Sequence, residues 1–470
     1  MQSFIDANQE FLITDHPILK SMIDIYREDE TEFVNKLIPK ANLMPKMMES
    51  CQDYAMGLVK NLREQRLSEG GMDAFLVEYD LSSDEGIALM CLAEALLRIP
   101  DTKTIDALIR DKLMQGDWEA HAGKSNSMFV NAATWALMLT GKVMWSNGTQ
   151  ESSLKSCLKK LVSMGGEPIV RQAVYQAIRI LSRQFVMGRT IEEALKRAQP
   201  QETKGFRYSY DMLGEAAYTQ ADAHKYFQAY EQAIRAISLA SAGRGPIEGP
   251  GISVKLSALH PRFSMLKRKR ILSELVPVVK KLAHMAKDSN IGFTIDAEEA
   301  DTLFILLEVV ESIITDPEFN GWDGLGLAVQ AYQKRASGII VWLAELAAKH
   351  KKKIMVRLVK GAYWDTEIKL AQVNGLSGYP VFTRKIATDV NYIACAKVLL
   401  AHTNVIYPQF ATHNALTLAI IKALTAQVHC TEYEFQCLHG MGEPLYGPIV
   451  NKNMPCRIYA PVGTHEDLLA

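Results

Sequence analysis

Eight short apolar runs between Phe206 and Pro461 each carry a charged or hydrogen-bonding residue at or near the C-terminal end. They read FRYSYDML, GISVKLSAL, IGFTIDAE, GLGLAVQAY, KIMVRLVKGAYW, IYPQFATHN, YEFQCLHG and CRIYAPVG. The polar residues, in order, are Asp211, Lys255, Asp296, Gln330, Arg357 with Lys360, Thr412 with His413, Gln436, and Tyr459. If the runs are parallel strands of a barrel, these residues converge on one face, the C-terminal face where barrel enzymes keep their chemistry. Lys255 and Asp296 end consecutive strands and can pair directly. Such a pair is structural unless it lies over a substrate pocket. VRLVKGAYW (356–364) is denser: Arg357 and Lys360 bring two cations to one strand end, Gly361 allows close backbone approach, and Tyr363 and Trp364 add flat surfaces. That set suits an anionic, planar ligand, although a strand end with solvated charges has the same letters.

The elements that must position these groups are legible in the hydrophobic pattern. From residue 206 strands alternate with helices such as ADAHKYFQAYEQAIRAISLAS, RILSELVPVVKKLAHMA, LFILLEVVESII, GIIVWLAELAAKH, VNYIACAKVLLAH and ALTLAIIKALTAQ. Each crossover has room for the dozen or more residues that a parallel connection requires. Eight strands over about 265 residues favour a closed (βα)8 barrel over an open doubly wound sheet. Before residue 200 the pattern is helical. Ser82 and Glu85 fit a capping box ahead of GIALMCLAEALLRI, and Pro100 stops that run. NAATWALMLTGKVMW and EPIVRQAVYQAIRILSRQFVMG read as further packed helices, and the polar, Gly-containing segment 61–82 as a loop. The expected organisation is a helical arm over 1–45, a helical domain over 46–200 and an α/β barrel over 201–470.

Bulk properties narrow the function. The chain has 470 residues, 48% hydrophobic and 22% charged, which is enough to bury a large core. A net charge of −1 gives no global basic field, so no nucleic-acid partner is expected. No run reaches the roughly 18 apolar residues of a membrane span, and the N-terminus lacks a basic start and apolar stretch. The seven cysteines form no C-x-x-C pair, which fits a reducing cytoplasm. The eleven histidines are dispersed, so no metal site is expected. There is no G-x-S-x-G elbow, Walker loop or H-E-x-x-H. The glycines of GRGPIEGPG precede a strand and are not a dinucleotide fingerprint. TRK (383–385), after the turn-rich NGLSGYP, suits a phosphate or a solvated helix start. ATHN (411–414) gathers Thr, His and Asn at a strand end.

The segments LSSDEGIALMCLAEALLRIPD, RYSYDMLGEAA, GPGISVKLSALHPR, NIGFTIDAEEAD, VQAYQKR, VRLVKGAYWD, GLSGYPVFTRK, PQFATHNA, YEFQCLHGMGE and CRIYAPVGTHE resemble the proline dehydrogenase domain of bifunctional proline utilization A flavoenzymes. The likeness spans about residues 80–467. It implies a (βα)8 barrel that binds FAD at the strand C-termini and oxidises L-proline to Δ1-pyrroline-5-carboxylate, passing electrons to a membrane quinone. It further implies that Arg357 lies near the flavin N5 edge. Lys360, Gly361, Ala362 and Trp364 would line the cofactor, and Gln330 would hydrogen-bond the flavin. Thr383, Lys385, Thr412, His413 and Asn414 would hold its pyrophosphate and ribityl parts, with Gln436 and Cys437 completing the pocket. Lys255 and Asp296 would meet the substrate, with Tyr363, Leu438 and Tyr459 packed around the pyrrolidine ring. Lys255, Asp296, Arg357, Tyr363 and Tyr459 form the expected catalytic set.

The resemblance carries three differences. The sequence starts without a ribbon-helix-helix segment, which removes support for DNA-binding autoregulation. It holds no aldehyde dehydrogenase portion, so a pyrroline-5-carboxylate dehydrogenase, fused or separate, is expected outside this chain. It stops at THEDLLA, before the family's Arg-Arg pair and Glu; in the family one of those arginines pairs with a glutamate equivalent to Glu215 as a gate. Weak proline binding by this chain is therefore expected. A cytoplasmic protein, peripheral on the inner membrane and open to homodimerisation, fits this reading. Two alternatives stay open on the residues alone: a Schiff-base aldolase or decarboxylase using Lys255, and a non-catalytic module with a dimerisation arm.

Overall fold

The computed structural model describes residues 16–68, 104, 185–450 and 454–464. The chain divides into two compact units, Met1–Lys60 with Met187–Gly463, and Asn61–Val186 with Thr464–Ala470. The second falls largely outside the described residues, as do the expected capping box at Ser82 and Glu85 and the helices over 131–145 and most of 167–188.

The first unit is built on eight parallel strands that close in sequence order. They are β1 (Phe206–Met212), β2 (Gly251–Val254), β3 (Gly292–Ile295), β4 (Leu325–Gln330), β5 (Ile354–Val359), β6 (Ile406–Ala411), β7 (Glu434–Leu438) and β8 (Cys456–Val462). Closure is made by β8 on β1, in register from Phe206 opposite Cys456 to Met212 opposite Val462. All eight apolar runs read from the sequence are these strands. Helices follow them as crossovers: α5 (Gln220–Ser241), α7 (Arg268–Asp288), α8 (Leu303–Ile314), α9 (Ala336–Lys349), α10 (Trp364–Val373), α11 (Lys385–Ala401), α12 (Ala415–Gln427) and α13 (Glu443–Val450). A short helix, α6 (Gly245–Glu248), interrupts the glycine-rich loop before β2.

The period of two along a strand sorts the residues onto two faces. In β1, Tyr208 and Tyr210 alternate with Arg207, Ser209 and Asp211; in β8, Ile458 and Ala460 alternate with Arg457 and Tyr459. The apolar set faces the helices, as burial on both faces of a parallel sheet requires. The alternating polar residues bond to one another across the barrel: Arg357 of β5 reaches Ser209, Ser253 and Gln436. Helices are started by local chemistry. Thr219 and Asp222 form a reciprocal capping box on α5, a device worth about 1 kcal/mol. In α8, nine residues including Leu303, Ile305, Val309 and Ile313 are buried, each offering roughly 1.5–3 kcal/mol of gross burial energy.

N-terminal helices clothe one flank of the barrel: α1 (Pro17–Asp24), α2 (Glu30–Ala41) and α3 (Pro45–Ser68), with α4 (Ile191–Glu202) leading into β1. Asp29 caps α2 by accepting from the Thr31 and Glu32 amides. Phe33 and Leu37 of α2 pack on Phe382, Ala387 and Ala394 of α11 and its entry. The loop after α1 lays Tyr26 over the buried Arg335 guanidinium, 4.2 Å from the ring centre, and Lys422 sits 4.0 Å over Tyr54 of α3. The stretch read as a loop from residue 61 is helical through Ser68. The run NLREQRLS lacks glycine and proline, and its Leu, Arg, Glu and Gln are good helix formers. The rest of that segment lies outside the described residues.

Candidate active site

The strand ends bring together a five-membered ionic and hydroxyl cluster at the mouth of the barrel. Lys255, just past β2, donates from Nζ to Asp211 Oδ2 at 2.8 Å and to Tyr459 Oη at 3.4 Å. Its distance to Asp296 is 4.0 Å. The direct Lys255–Asp296 pair expected from the sequence is therefore secondary, and Asp211 on the other neighbouring strand is the main partner. Asp296 instead accepts from Arg357 Nη1 at 2.5 Å and from Tyr459 Oη at 2.7 Å. The Arg357 guanidinium lies 5.0 Å over the Tyr459 ring, close enough for a cation–π contribution.

Burial sets the electrostatics of this cluster. It disfavours the Asp211 carboxylate, and Asp296 opposes it as well, so Asp211 is pushed above its ordinary range despite the Lys255 ammonium. Burial alone would lower Lys255, but Asp211 and then Asp296 hold its ammonium above the usual value. The Lys255 side chain is 13% exposed, against 4% for Arg357, so Lys255 is the cation that faces the opening. An ammonium pinned by two carboxylates is not a free amine nucleophile. That weakens the Schiff-base alternative.

A second group lies on the rim after β5 and β6. Lys360 donates to Asp389 at 2.5 Å and to Thr417 at 3.4 Å. Gly361 follows with φ +141, and a Cβ there would meet the Tyr332 ring at 2.3 Å. The rim backbone thus has no side chain at this point. Ala362 and Trp364 come next, with the Trp364 indole N–H on the Phe382 carbonyl at 2.9 Å. His413 Nε2 accepts from the Leu438 amide at 2.8 Å, which leaves the ring proton on Nδ1. Asn414 caps α12 through Thr417, and its own amide donates to Thr412. Lys385 pairs with Asp389 at 2.9 Å. The Thr383 amide and hydroxyl both donate to Glu30 of α2, at 2.7 and 2.9 Å, and the Arg384 amide adds a third bond at 3.3 Å.

The remaining expected residues have mixed settings. Gln330 is buried, and its amide nitrogen donates to the Ala297 and Glu298 carbonyls at 2.8 and 3.0 Å, while its Oε1 has no partner. Gln436 accepts from Arg357 Nε at 2.7 Å and donates to Glu434 at 2.9 Å. Cys437 is buried, with its sulfur 3.9 Å from that of Cys456. Leu438 ends β7 at the rim. Tyr363 reaches across the mouth, its hydroxyl donating to Glu215 in the loop after β1 at 3.0 Å. Among the described residues no cluster of three or more metal-ligating side chains occurs.

The expected site set omits Asp211, the main partner of Lys255, and Ser209 and Ser253, which Arg357 reaches; five more polar groups adjoin the site residues. Ser257 and Glu298 lie two residues beyond Lys255 and Asp296, and the Ser257 amide donates to Glu298 at 3.0 Å. Arg457, Glu434 and Arg207 lie at even spacing below Tyr459, Gln436 and Asp211. The same period of two that marks the upper residues marks these.

Comparison with known proteins bears on the family of the chain. A family model described as proline dehydrogenase matches residues 194–470, and one for the proline utilization A proline dehydrogenase N-terminal domain matches 21–63. A third, described as the DNA-binding domain of proline dehydrogenase, matches 71–185. That description reopens nucleic acid as a partner, against the expectation from net charge. The chain is 55% identical over 455 residues to the bifunctional protein PutA of Klebsiella aerogenes, and 55% identical to that of Escherichia coli strain K12. Each match covers 95% of this chain and 34% of the relative, so the chain spans about a third of their length. A crystal structure of mutant Bradyrhizobium japonicum proline utilization A superposes with a TM-score of 0.70 at 47% identity, covering 94% of this chain and 44% of that one. With the barrel, the mouth cluster and a family match over more than half its length, the chain belongs to the proline dehydrogenase family.

Proposed function

We propose that this chain performs the FAD-dependent oxidation of L-proline to Δ1-pyrroline-5-carboxylate and that its electrons pass to a membrane quinone. The observation that carries the reading is the mouth cluster, in which a partly exposed ammonium sits among two buried carboxylates, a tyrosine and a buried guanidinium. The rim fits a flavin. Gln330 offers a buried, unpartnered oxygen, and Gly361, packed by its backbone against the Tyr332 ring, belongs to the same rim. Lys360, Lys385 and His413 offer donors to phosphates and hydroxyls, and Glu30 occupies the Thr383 and Arg384 amides as an anion would. Arg357, Ala362, Trp364, Thr383, Thr412, Asn414, Gln436 and Cys437 complete that assignment.

Oxidation removes a hydride from C5 of proline and a proton from its nitrogen, and leaves a C5–N double bond. Bound FAD supplies the two-electron acceptor for that hydride. Lys255, the cation facing the opening, holds the substrate carboxylate. Asp211 and Asp296 lie within the same cluster to receive the amine proton, and an acceptor there favours the neutral amine from which hydride can leave. Tyr459, Tyr363 and Leu438 wall the pyrrolidine ring and exclude water. Glu215, held by Tyr363 over the mouth, acts as a gate. Arg357 lies beneath as a fixed positive charge that would favour electron transfer to the bound acceptor.

Among the described residues no helix is long and apolar enough to cross a membrane, which is compatible with peripheral contact with the inner membrane from the cytoplasm. The relatives' name, bifunctional, supports a pyrroline-5-carboxylate dehydrogenase elsewhere in a longer protein or as a separate partner. The test is the visible spectrum of FAD-loaded protein under anaerobic conditions. L-Proline is expected to bleach the flavin bands and to yield an imine trapped by o-aminobenzaldehyde. Bands that dithionite bleaches and L-proline does not would overturn the reading.

A further inference from the structure

The loop after β1 that carries Glu215 is conformationally improbable by itself. Gly214 has φ +140, and Ala216 has φ +50, in the left-handed region that non-glycine residues avoid. Something must hold it. On its β8 side, the Leu213 amide donates to the Val462 carbonyl at 2.8 Å. On its other side, two consecutive amides donate to one residue: Ala216 to the Ser257 hydroxyl and Ala217 to the Ser257 carbonyl, each at 2.9 Å. Ser257 is itself gripped from beneath, because its amide and hydroxyl both donate to the Glu298 carboxylate. Glu298 is 5% exposed, and its carbonyl accepts from Gln330. The chain of bonds therefore runs from β4 through Glu298 and Ser257 into the loop, and ends at Glu215 on the Tyr363 hydroxyl. Burial raises Glu298 to about 7, a cost that the fold accepts at this spot.

We propose that Ser257, locked by Glu298, is a positioning residue: it holds the Leu213–Ala217 turn so that Glu215 reaches Tyr363 across the barrel mouth. In this way it governs substrate capture, not the hydride-removing step. Ser257 is two residues from Lys255, but none of its bonds goes to the mouth cluster; they go to the loop and to Glu298. The kinetic consequence rests on the reading of the mouth as a proline site. The structural consequence does not.

The test uses Ser257→Ala, Ser257→Thr, Glu215→Ala and the Ser257→Ala/Glu215→Ala double variant of the whole protein, each checked for retained FAD. Hydrogen exchange of the peptide containing Ala216 and Ala217 is measured first. It is expected to accelerate about tenfold or more in Ser257→Ala and to stay near the parent rate in Ser257→Thr, which keeps the hydroxyl. Unchanged exchange in Ser257→Ala overturns the proposal whether or not proline is the substrate. Turnover is measured second. Ser257→Ala is expected to raise KM for L-proline about tenfold with kcat within about twofold, and to add under about twofold to KM once Glu215 is already alanine. A full KM effect in the Glu215→Ala background, or a loss confined to kcat, also overturns it. A parent enzyme that L-proline does not reduce refutes the proposed function and leaves the exchange result to decide the role of Ser257.

Discussion

The inside of this barrel holds two ionic clusters, one at each end, with opposite characters. At the base, Glu434 is wholly buried and accepts from Arg457 at 2.7 Å, Gln409 at 2.8 Å, Gln436 at 2.9 Å and Arg207 at 3.3 Å. Arg457 spends its other donors on the carbonyls of Tyr208, Pro246, Ile247 and Gly249. Burial would raise the Glu434 pKa, but the paired arginines hold it below its ordinary value. At the mouth, burial wins over the lysine and Asp211 is raised. Asp211 Oδ1 and Gln330 Oε1 have no partner there, and at the base Gln409 Oε1 has none. A buried carboxylate held ionised by paired arginines is scaffold, and a cluster with a raised acid and a partly open cation is suited to a ligand. Gln436 joins the two, bonding Arg357 on one side and Glu434 on the other.

The comparison breaks most visibly at the base. Glu434→Ala leaves Arg457 and Arg207 uncompensated, and is expected to cost about 3–5 kcal/mol of stability in urea denaturation. A loss of activity at unchanged stability would mean that the base is not scaffold. At the mouth the order reverses. Lys255→Met is expected to lower kcat/KM for L-proline by at least about 100-fold, roughly 2.7 kcal/mol. Its melting temperature should move far less than that of Glu434→Ala, because Asp211 can take up a proton.

Glu298, under the mouth, sharpens the contrast through pH. Burial raises it from 4.5 to about 7, with Ser257, Glu299 and Lys255 as its titratable or hydrogen-bonding surroundings. A folded-state pKa above the unfolded one means stability that is full below about 4.5 and is lost as pH rises through about 7. Between pH 5 and pH 8, Glu298→Gln should flatten the stability profile by an amount on the order of 1–3 kcal/mol, read by denaturation at each pH. A parallel offset with the wild-type slope would remove Glu298 as its source. The smallest change expected is that of Tyr459→Phe, which takes one hydrogen bond from Asp296 and should lower kcat/KM about tenfold, roughly 1.4 kcal/mol.

Much of this was legible before any coordinates. Strands and mouth residues announce themselves because each apolar run ends in a polar group, and a closed barrel leaves such ends nowhere else to meet. Arg457, Glu434 and Arg207 stand at strand starts, where a search of strand ends does not reach, although an even spacing of two or four from Tyr459, Gln436 and Asp211 aligns them. Ser257 and Glu298 sit past the strands, where periodicity stops and only loop geometry joins them. The choice of Asp211 over Asp296 by Lys255 was not readable either, since both flank β2 and side-chain reach decides between them. Residues 61–68 form helix where the sequence predicts a loop, because the polar run before Gly70 and Gly71 is itself helix-competent.

The most direct test of the central claim, that the mouth and not the base acts on substrate, is anaerobic titration of the flavin bands with L-proline in the wild-type and Lys255→Met proteins. The account predicts that the wild type bleaches. It predicts that Lys255→Met keeps its flavin, bleaches with dithionite, and needs at least about 100-fold more proline for the same change. Identical titrations of the two proteins would contradict it.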